Sequence, residues 1–201
     1  MNILIITFNV GSSSLKIATY LQDNKLFSLN IDFKQQLVSC NGTLRLHDWL
    51  PKYDLVTDAC SLIKAIQKHY TTTRIVIAHR IVHGGEYSQP MYITSTVLEN
   101  LKKLASLCPL HQPAALAVIE AIISHWPDIQ QVAAFDTAFH AQQSTLARSF
   151  ALPLTLREQG IKRYGFHGLS CQSIMQQLST IHKDKGRVIV AHLGNGSSIT
   201  A

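Results

Sequence analysis

The N-terminus carries the feature that most narrows the fold. Ile3 to Phe8 is an uninterrupted apolar run of strand length, which suits a buried strand. Gly11-Ser12-Ser13-Ser14 interrupts the pattern, and Leu15 to Tyr20 resumes it as a second strand. Phe27, Leu29, Ile31 and Phe33 then alternate with polar residues, as a half-buried strand requires. Asn41-Gly42 predicts a hairpin turn ahead of Leu44 and Leu46. Consecutive strands with short connections open a meander, so the chain starts by building one sheet.

The period then changes. Asp54 is placed to cap a helix in which Leu55, Ala59, Leu62, Ile63 and Ile66 share one face. Arg74 to Ala78 is a short apolar strand. A second helix is predicted from about Thr96, which has capping-box spacing to Glu99. Pro113 opens a third helix that Pro127 ends, and Gln131 to Phe135 is another strand. A helix near Ser170 to Leu178, a strand from Arg187 to Ala191 and a Gly-rich turn follow. Strands first, then alternating helix and strand, predict an α/β fold in which helices flank a mixed sheet. The stretch 141–160 has the weakest pattern, so a boundary is placed there, between a first domain over 1–145 and the start of a second over 146–201.

Composition excludes several classes. With 46% hydrophobic residues the chain can bury a core, yet no apolar run is long enough to span a bilayer. The N-terminus lacks the charged start, long apolar stretch and cleavage site of a secretory signal, so a cytoplasmic location without a membrane partner is expected. Cys40, Cys60, Cys108 and Cys171 lie too far apart for a metal or redox motif and read as reduced thiols. The formal charge of +6 favours anionic ligands, but the Lys and Arg residues are scattered and form no block suited to nucleic acid.

Five motifs carry chemistry. In Asn9-Val10-Gly11-Ser12-Ser13-Ser14-Leu15-Lys16, small residues let phosphate approach the backbone, and N–H groups, hydroxyls (Ser12 and Ser14 among them) and Lys16 can donate to it. A polar hairpin without a ligand would read the same way. This is not a Walker A loop, because a strand follows it. In His79-Arg80-Ile81-Val82-His83-Gly84-Gly85-Glu86, Arg80 can fork onto a carboxylate or phosphate. The Gly-Gly after His83 argues against a zinc pair and leaves His79 and His83 as packing residues or as supports for the site's side chains. In Phe135-Asp136-Thr137-Ala138-Phe139-His140, Asp136 can hold a metal-bound water, orient an arginine, act as a base, or cap the next segment. Tyr164-Gly165-Phe166-His167-Gly168 frees the backbone to aim an imidazole. His192-Leu193-Gly194-Asn195-Gly196-Ser197-Ser198 is a second Gly-rich turn that can present N–H groups to phosphates.

In this order, and with Pro109-Leu110-His111-Gln112-Pro113 between them, these motifs resemble the acetate kinase family from Asn9 to Ser198. Gln112 stands where the family usually has Asn, and Val10 where it usually has Ala. The resemblance implies the ribonuclease-H-like domain of the actin and sugar-kinase superfamily, which the element order also fits, and the start of a second such domain. It implies phosphoryl transfer between ATP and acetate, giving ADP and acetyl phosphate, with Mg²⁺ or alternatively Mn²⁺. Propionate or butyrate as the acid, or a phosphate-binding fragment without turnover, are the alternatives. The roles implied are Asn9 near the metal, and Lys16, Ser12, Ser14 and His192 to Gly196 (Leu193, Gly194 and Asn195 included) on the nucleotide phosphates. Arg80, Val82, Phe166 and His111 fall to the acid, and Asp136, His167 and Arg80 to catalysis. Full-length relatives are expected to be homodimers and to continue about as long again. The missing part would include the first domain's last helix, so this chain alone is expected to be inactive or nearly so.

Overall fold

The computed structural model describes residues 3–42, 49–70, 74–181, 186–194 and 196–201. Leu44 and Leu46, named above as a strand, lie outside them. The chain divides into two compact units: Met1–Ile81 with Pro90–Ala134, and Val82–Gln89 with Phe135–Ala201.

The first unit is built on strands β1 (Ile3–Val10), β2 (Ser14–Leu21), β3 (Asn24–Asp32), β4 (Leu37–Gly42), β5 (Arg74–Ile81), β6 (Met91–Tyr92) and β7 (Gln130–Phe135). They form one sheet in the order β4-β3-β2-β1-β5-β7-β6. β1 pairs antiparallel with β2 and parallel with β5, so the sheet is mixed. Helices α1 (Leu55–His69), α2 (Ser95–Lys103) and α3 (Gln112–His125) connect the later strands, and α3 packs on α1, α2, β1 and β5.

Burial alternates along β1: Leu4, Ile6, Phe8 and Val10 are buried, while Ile5, Thr7 and Asn9 are half-buried. The expectation of a strand buried on both faces is therefore corrected. One face carries the core, with Leu15, Ile17, Phe27, Leu29 and Ile31 of the next two strands also buried. The other bears Thr7, Asn9, Lys16, Ala18, Ser28 and Asn30 and lines a groove of about 390 Å³.

Local chemistry moves three boundaries. The predicted turn at Asn41-Gly42 is the end of β4; the hairpin closes earlier, where Asp32 Oδ1 accepts from the amides of Lys34 and Gln35 at 2.9 and 2.8 Å and Gln36 takes φ 51°. The cap of α2 is Thr94, whose side chain accepts from Val97 N, rather than Thr96. β5 runs on through His79 and Arg80, so the second motif begins inside the strand. Asp54 caps α1 as expected, with Oδ1 2.8 Å from Thr57 N, and α3 has Pro113 in its first turn.

The second unit contains two single-turn helices, α4 (Thr145–Arg148) and α5 (Leu154–Arg157), where the sequence shows little pattern. Helix α6 (Gly168–Ile181) and the antiparallel hairpin β8 (Val190–His192) and β9 (Ser198–Thr200) complete it. β8 starts three residues later than the apolar run suggested. No helix among the described residues is long and apolar enough to cross a membrane.

Ile63 on α1 is fully buried, whereas Leu146 is 87% exposed. Ile63→Ala is expected to cost about 2–5 kcal/mol and Leu146→Ala less than about 0.5 kcal/mol in urea unfolding. Equal losses would contradict this placement of the core.

Candidate functional site

Strand register assembles the polar cluster of the first unit. Asn9 is opposite Lys16 in the β1–β2 ladder, and Phe8 is opposite His79 in the β1–β5 ladder, which brings Arg80 beside Asn9. Arg80 Nη1 donates to Asn9 Oδ1 at 3.0 Å. Lys16 is exposed on the same row. Gly11 N donates to Ser14 O at 2.8 Å, closing the Ser-rich turn, and a Cβ on Gly11 would lie 2.9 Å from Ser14 Oγ. Ser12 is exposed at the tip of that turn.

His79 supports this strand end from the core side. It is buried, stacks on Phe8 at 5.6 Å, and places Nε2 2.8 Å from Gln131 Oε1. Burial pushes its pKa down to about 4, against a smaller opposing effect of the Gln131 bond, so the ring is neutral at neutral pH. His111 precedes α3, its N–H bonded to Cys108 O at 3.1 Å. Gln112 is buried and donates from Nε2 to Leu101 O at 3.1 Å, which ties the start of α3 to α2.

The second unit gathers the remaining motifs. Asp136 and Thr137 directly follow β7 and are both buried. Thr137 Oγ1 accepts from Gly84 N at 3.0 Å, and a Cβ on Gly84 would strike the Phe135 ring at 2.5 Å. Gly168 N donates to Asp136 O at 2.9 Å, and a Cβ there would lie 2.1 Å from that oxygen. The start of α6 is thus docked on the backbone of Asp136. Gly165 packs as closely on the His140 ring, whose Nε2 is 3.0 Å from Phe166 O.

Between these contacts, His167 adopts φ 58°, uncommon for a residue other than glycine. Its ring stacks on His192 at 4.2 Å, and its Nδ1 is 3.0 Å from Ser198 Oγ. A Cβ on Gly196 would stand 3.4 Å from its Nε2, so the turn passes close to that edge of the ring. Gly194 and Leu193 are exposed in the same turn, and Asn195 lies outside the described residues.

His83 packs edge-on against Tyr164 at 4.4 Å and Phe166 at 5.8 Å, which makes it a support for Phe166 as well as a packing residue. Burial lowers its pKa, opposed by the charge of Glu86. Glu86 pairs with Lys162 and accepts from Tyr164 Oη at 3.2 Å; the hydrogen bond from Lys162 is the main reason its carboxyl lies below the usual range. Val82 is half-buried in the same segment. The sequence reading did not single out Glu86, Lys162 and Tyr164; the pairing spans residues too far apart in the chain for spacing to reveal it. Among the described residues no three His, Cys, Asp or Glu side chains form a metal cluster.

A mixed sheet flanked by helices, leading into a second unit with its own hairpin and Gly-rich turn, belongs to the actin-like ATPase class of folds. Solved structures agree. A propionate kinase from Francisella tularensis subsp. tularensis SCHU S4 matches with TM-score 0.82 and 32% identity over 98% of this chain and 54% of its own. The acetate kinase from Entamoeba histolytica matches with TM-score 0.77 and 30% identity over 99% and 51%. The Acetokinase family profile matches residues 3–201, and the chain belongs to that family. Acetate kinase from Rhodopseudomonas palustris (strain TIE-1) is 37% identical over 218 aligned residues, covering all of this chain and 55% of that relative. The chain spans about half the length of the curated relatives it matches.

The buried, neutral His79 makes stability pH-dependent. Its folded pKa of about 4 lies below the ordinary 6.5, so its contribution is complete above about 6.5 and is lost as pH falls towards 4. Unfolding free energies measured from pH 7 to 4 are expected to decline by up to about 3 kcal/mol from this group. That part of the slope should vanish in His79→Phe, and an unchanged slope in that variant would contradict the assignment.

Proposed function

We propose that this chain is the N-terminal portion of an acetate kinase, which transfers the γ-phosphoryl group of ATP to acetate. The observation that carries this reading is the row Lys16–Asn9–Arg80: two cations and an amide aligned across three strands. Such a row suits a phosphate chain and a small carboxylate.

In this reading Lys16, Ser12, Ser14 and the His192–Gly196 turn take nucleotide phosphates, and Arg80 takes the carboxylate or the phosphoryl group. Val82 and Phe166 border the acid's methyl group, and His111 supports that pocket. A carboxylate oxygen of acetate attacks the γ-phosphorus as the bond to ADP breaks, and no proton is transferred. Phosphoryl transfer depends on alignment and charge stabilisation, which Arg80 and His167 supply to the equatorial oxygens. Because acetate is ionised at neutral pH, with an ordinary carboxyl pKa of about 4, Asp136 need not be a base. Its proposed role is to orient Arg80 or a metal-bound water.

The donor set fits Mg²⁺, which takes hard oxygen ligands, keeps several waters and rides on substrate phosphates. Asp136 supplies a carboxylate, and Asn9 Oδ1, which accepts from Arg80 through one of its two lone pairs, can accept from a metal-bound water through the other. When bound, Mg²⁺ would offset phosphate charge. The domain reading on this basis is a first ribonuclease-H-like domain over 1–145 and the beginning of a second over 146–201, in a cytoplasmic enzyme that is a homodimer at full length. A solved propionate kinase among the similar structures favours one second reading, the same chemistry on propionate. A methylene separates the acids by only about 1–3 kcal/mol, so rates across the acid series in the full-length protein decide between them.

Calorimetric titration tests the phosphate reading on this chain. MgATP and acetyl phosphate are expected to bind, with Lys16→Ala weakening the first and Arg80→Ala the second about tenfold, or about 1.4 kcal/mol each. Absence of binding by both ligands, or variants that bind like the parent, would contradict the proposal.

A further inference from the structure

The hairpin β8–β9 and the start of α6 are joined by a reciprocal pair of imidazole–hydroxyl contacts. His167, just before α6, sets Nδ1 3.0 Å from Ser198 Oγ on β9. His192, on β8, sets Nδ1 3.0 Å from Ser170 Oγ on α6. Each element thus gives one histidine and one serine. His192 and Ser198 are direct partners in the hairpin ladder, and the two rings stack at 4.2 Å with planes 12° apart. The His167 backbone is fixed as well, at φ 58°, by its carbonyl accepting from Cys171 N at 3.1 Å and by Gly168 N on Asp136 O. A 180° flip of the His167 ring would keep the stack but put a carbon in place of Nδ1 at Ser198 Oγ.

We infer that Ser198 is a positioning residue, which donates its hydroxyl proton to His167 Nδ1 and so keeps the imidazole proton on Nε2, with Ser170 and His192 bracing the ring from its stacked face. This polarity suits a neutral ring that donates to a phosphoryl oxygen. A neutral imidazole has one donor nitrogen and one acceptor, and the partner of one nitrogen decides the state of the other. If Nδ1 carried the proton, Nε2 would present a lone pair to an incoming phosphoryl oxygen and repel it. With Nδ1 engaged as an acceptor, Nε2–H donates to that oxygen without the ring having to be charged. The Nε2 edge is the one that the side-chain-free Gly196 passes. The inference deepens the phosphotransfer reading and rests on it for its purpose, but its geometry does not.

The test is the tautomer itself, read from ¹⁵N imidazole shifts of the 201-residue chain without ligand. The parent is expected to show His167 as one Nε2–H tautomer with a hydrogen-bonded Nδ1. Ser198→Ala should lose that single state and give mixed tautomers with Nδ1 unbonded, and Ser198→Thr should restore it. His140, in the same unit, with Nε2 3.0 Å from Phe166 O, should keep its signals in both variants and so report that this unit is intact. An Nδ1–H tautomer in the parent, or His167 signals unchanged in a folded Ser198→Ala, would overturn the inference. Because no nucleotide is present, neither result depends on whether the chain binds ATP, and a failure of the kinase reading stays separate.

Discussion

Strand β1 is bonded along both edges, and the rest of the first unit depends on that fact. Its antiparallel ladder to β2 and parallel ladder to β5 leave little freedom of register, since a one-residue slip would turn Leu4, Ile6 and Phe8 out of the core. The same register sets Asn9 between Lys16 and Arg80. Core packing and placement of polar groups are therefore one constraint read on two faces: Phe8 stacks on His79 inside, while Asn9 receives Arg80 on the other side.

The second unit relies on close backbone approach instead. Gly168 and Gly165 stand where a Cβ would collide with Asp136 O and with the His140 ring. These approaches hold the Phe135–His140 and Tyr164–Gly168 segments together, so the backbones of Asp136 and His167 are placed by main-chain contacts. His167 in a left-handed conformation is the local cost, of order 1–3 kcal/mol, that its surroundings sustain.

Much of this was legible in the sequence, for physical reasons. Buried Leu4, Ile6 and Phe8 and the α1 face of Ala59, Leu62, Ile63 and Ile66 follow from period and hydrophobicity, and the family from five ordered motifs. The hairpin closed by Asp32 was missed because Asx chemistry, without a glycine, competes poorly for notice with Asn41-Gly42. Thr96 has the capping-box spacing to Glu99, whereas the actual cap, Thr94, has Val97 three residues on and is revealed only by its backbone conformation. The His83–Tyr164–Phe166 packing and the Glu86–Lys162 pair join residues far apart in the chain, which no local pattern encodes. The reciprocal histidine–serine contacts were hidden for the same reason, although all four residues sit within or beside the quoted motifs.

The central claim is that the strand-edge row of Lys16, Asn9 and Arg80 receives a phosphate chain. Titrating the isotopically labelled chain with MgATP while following Asn9, Lys16 and Arg80 tests it most directly. The account predicts that all three respond along one saturation curve with one Kd. No response at these residues, or curves that saturate at unrelated concentrations, would contradict it.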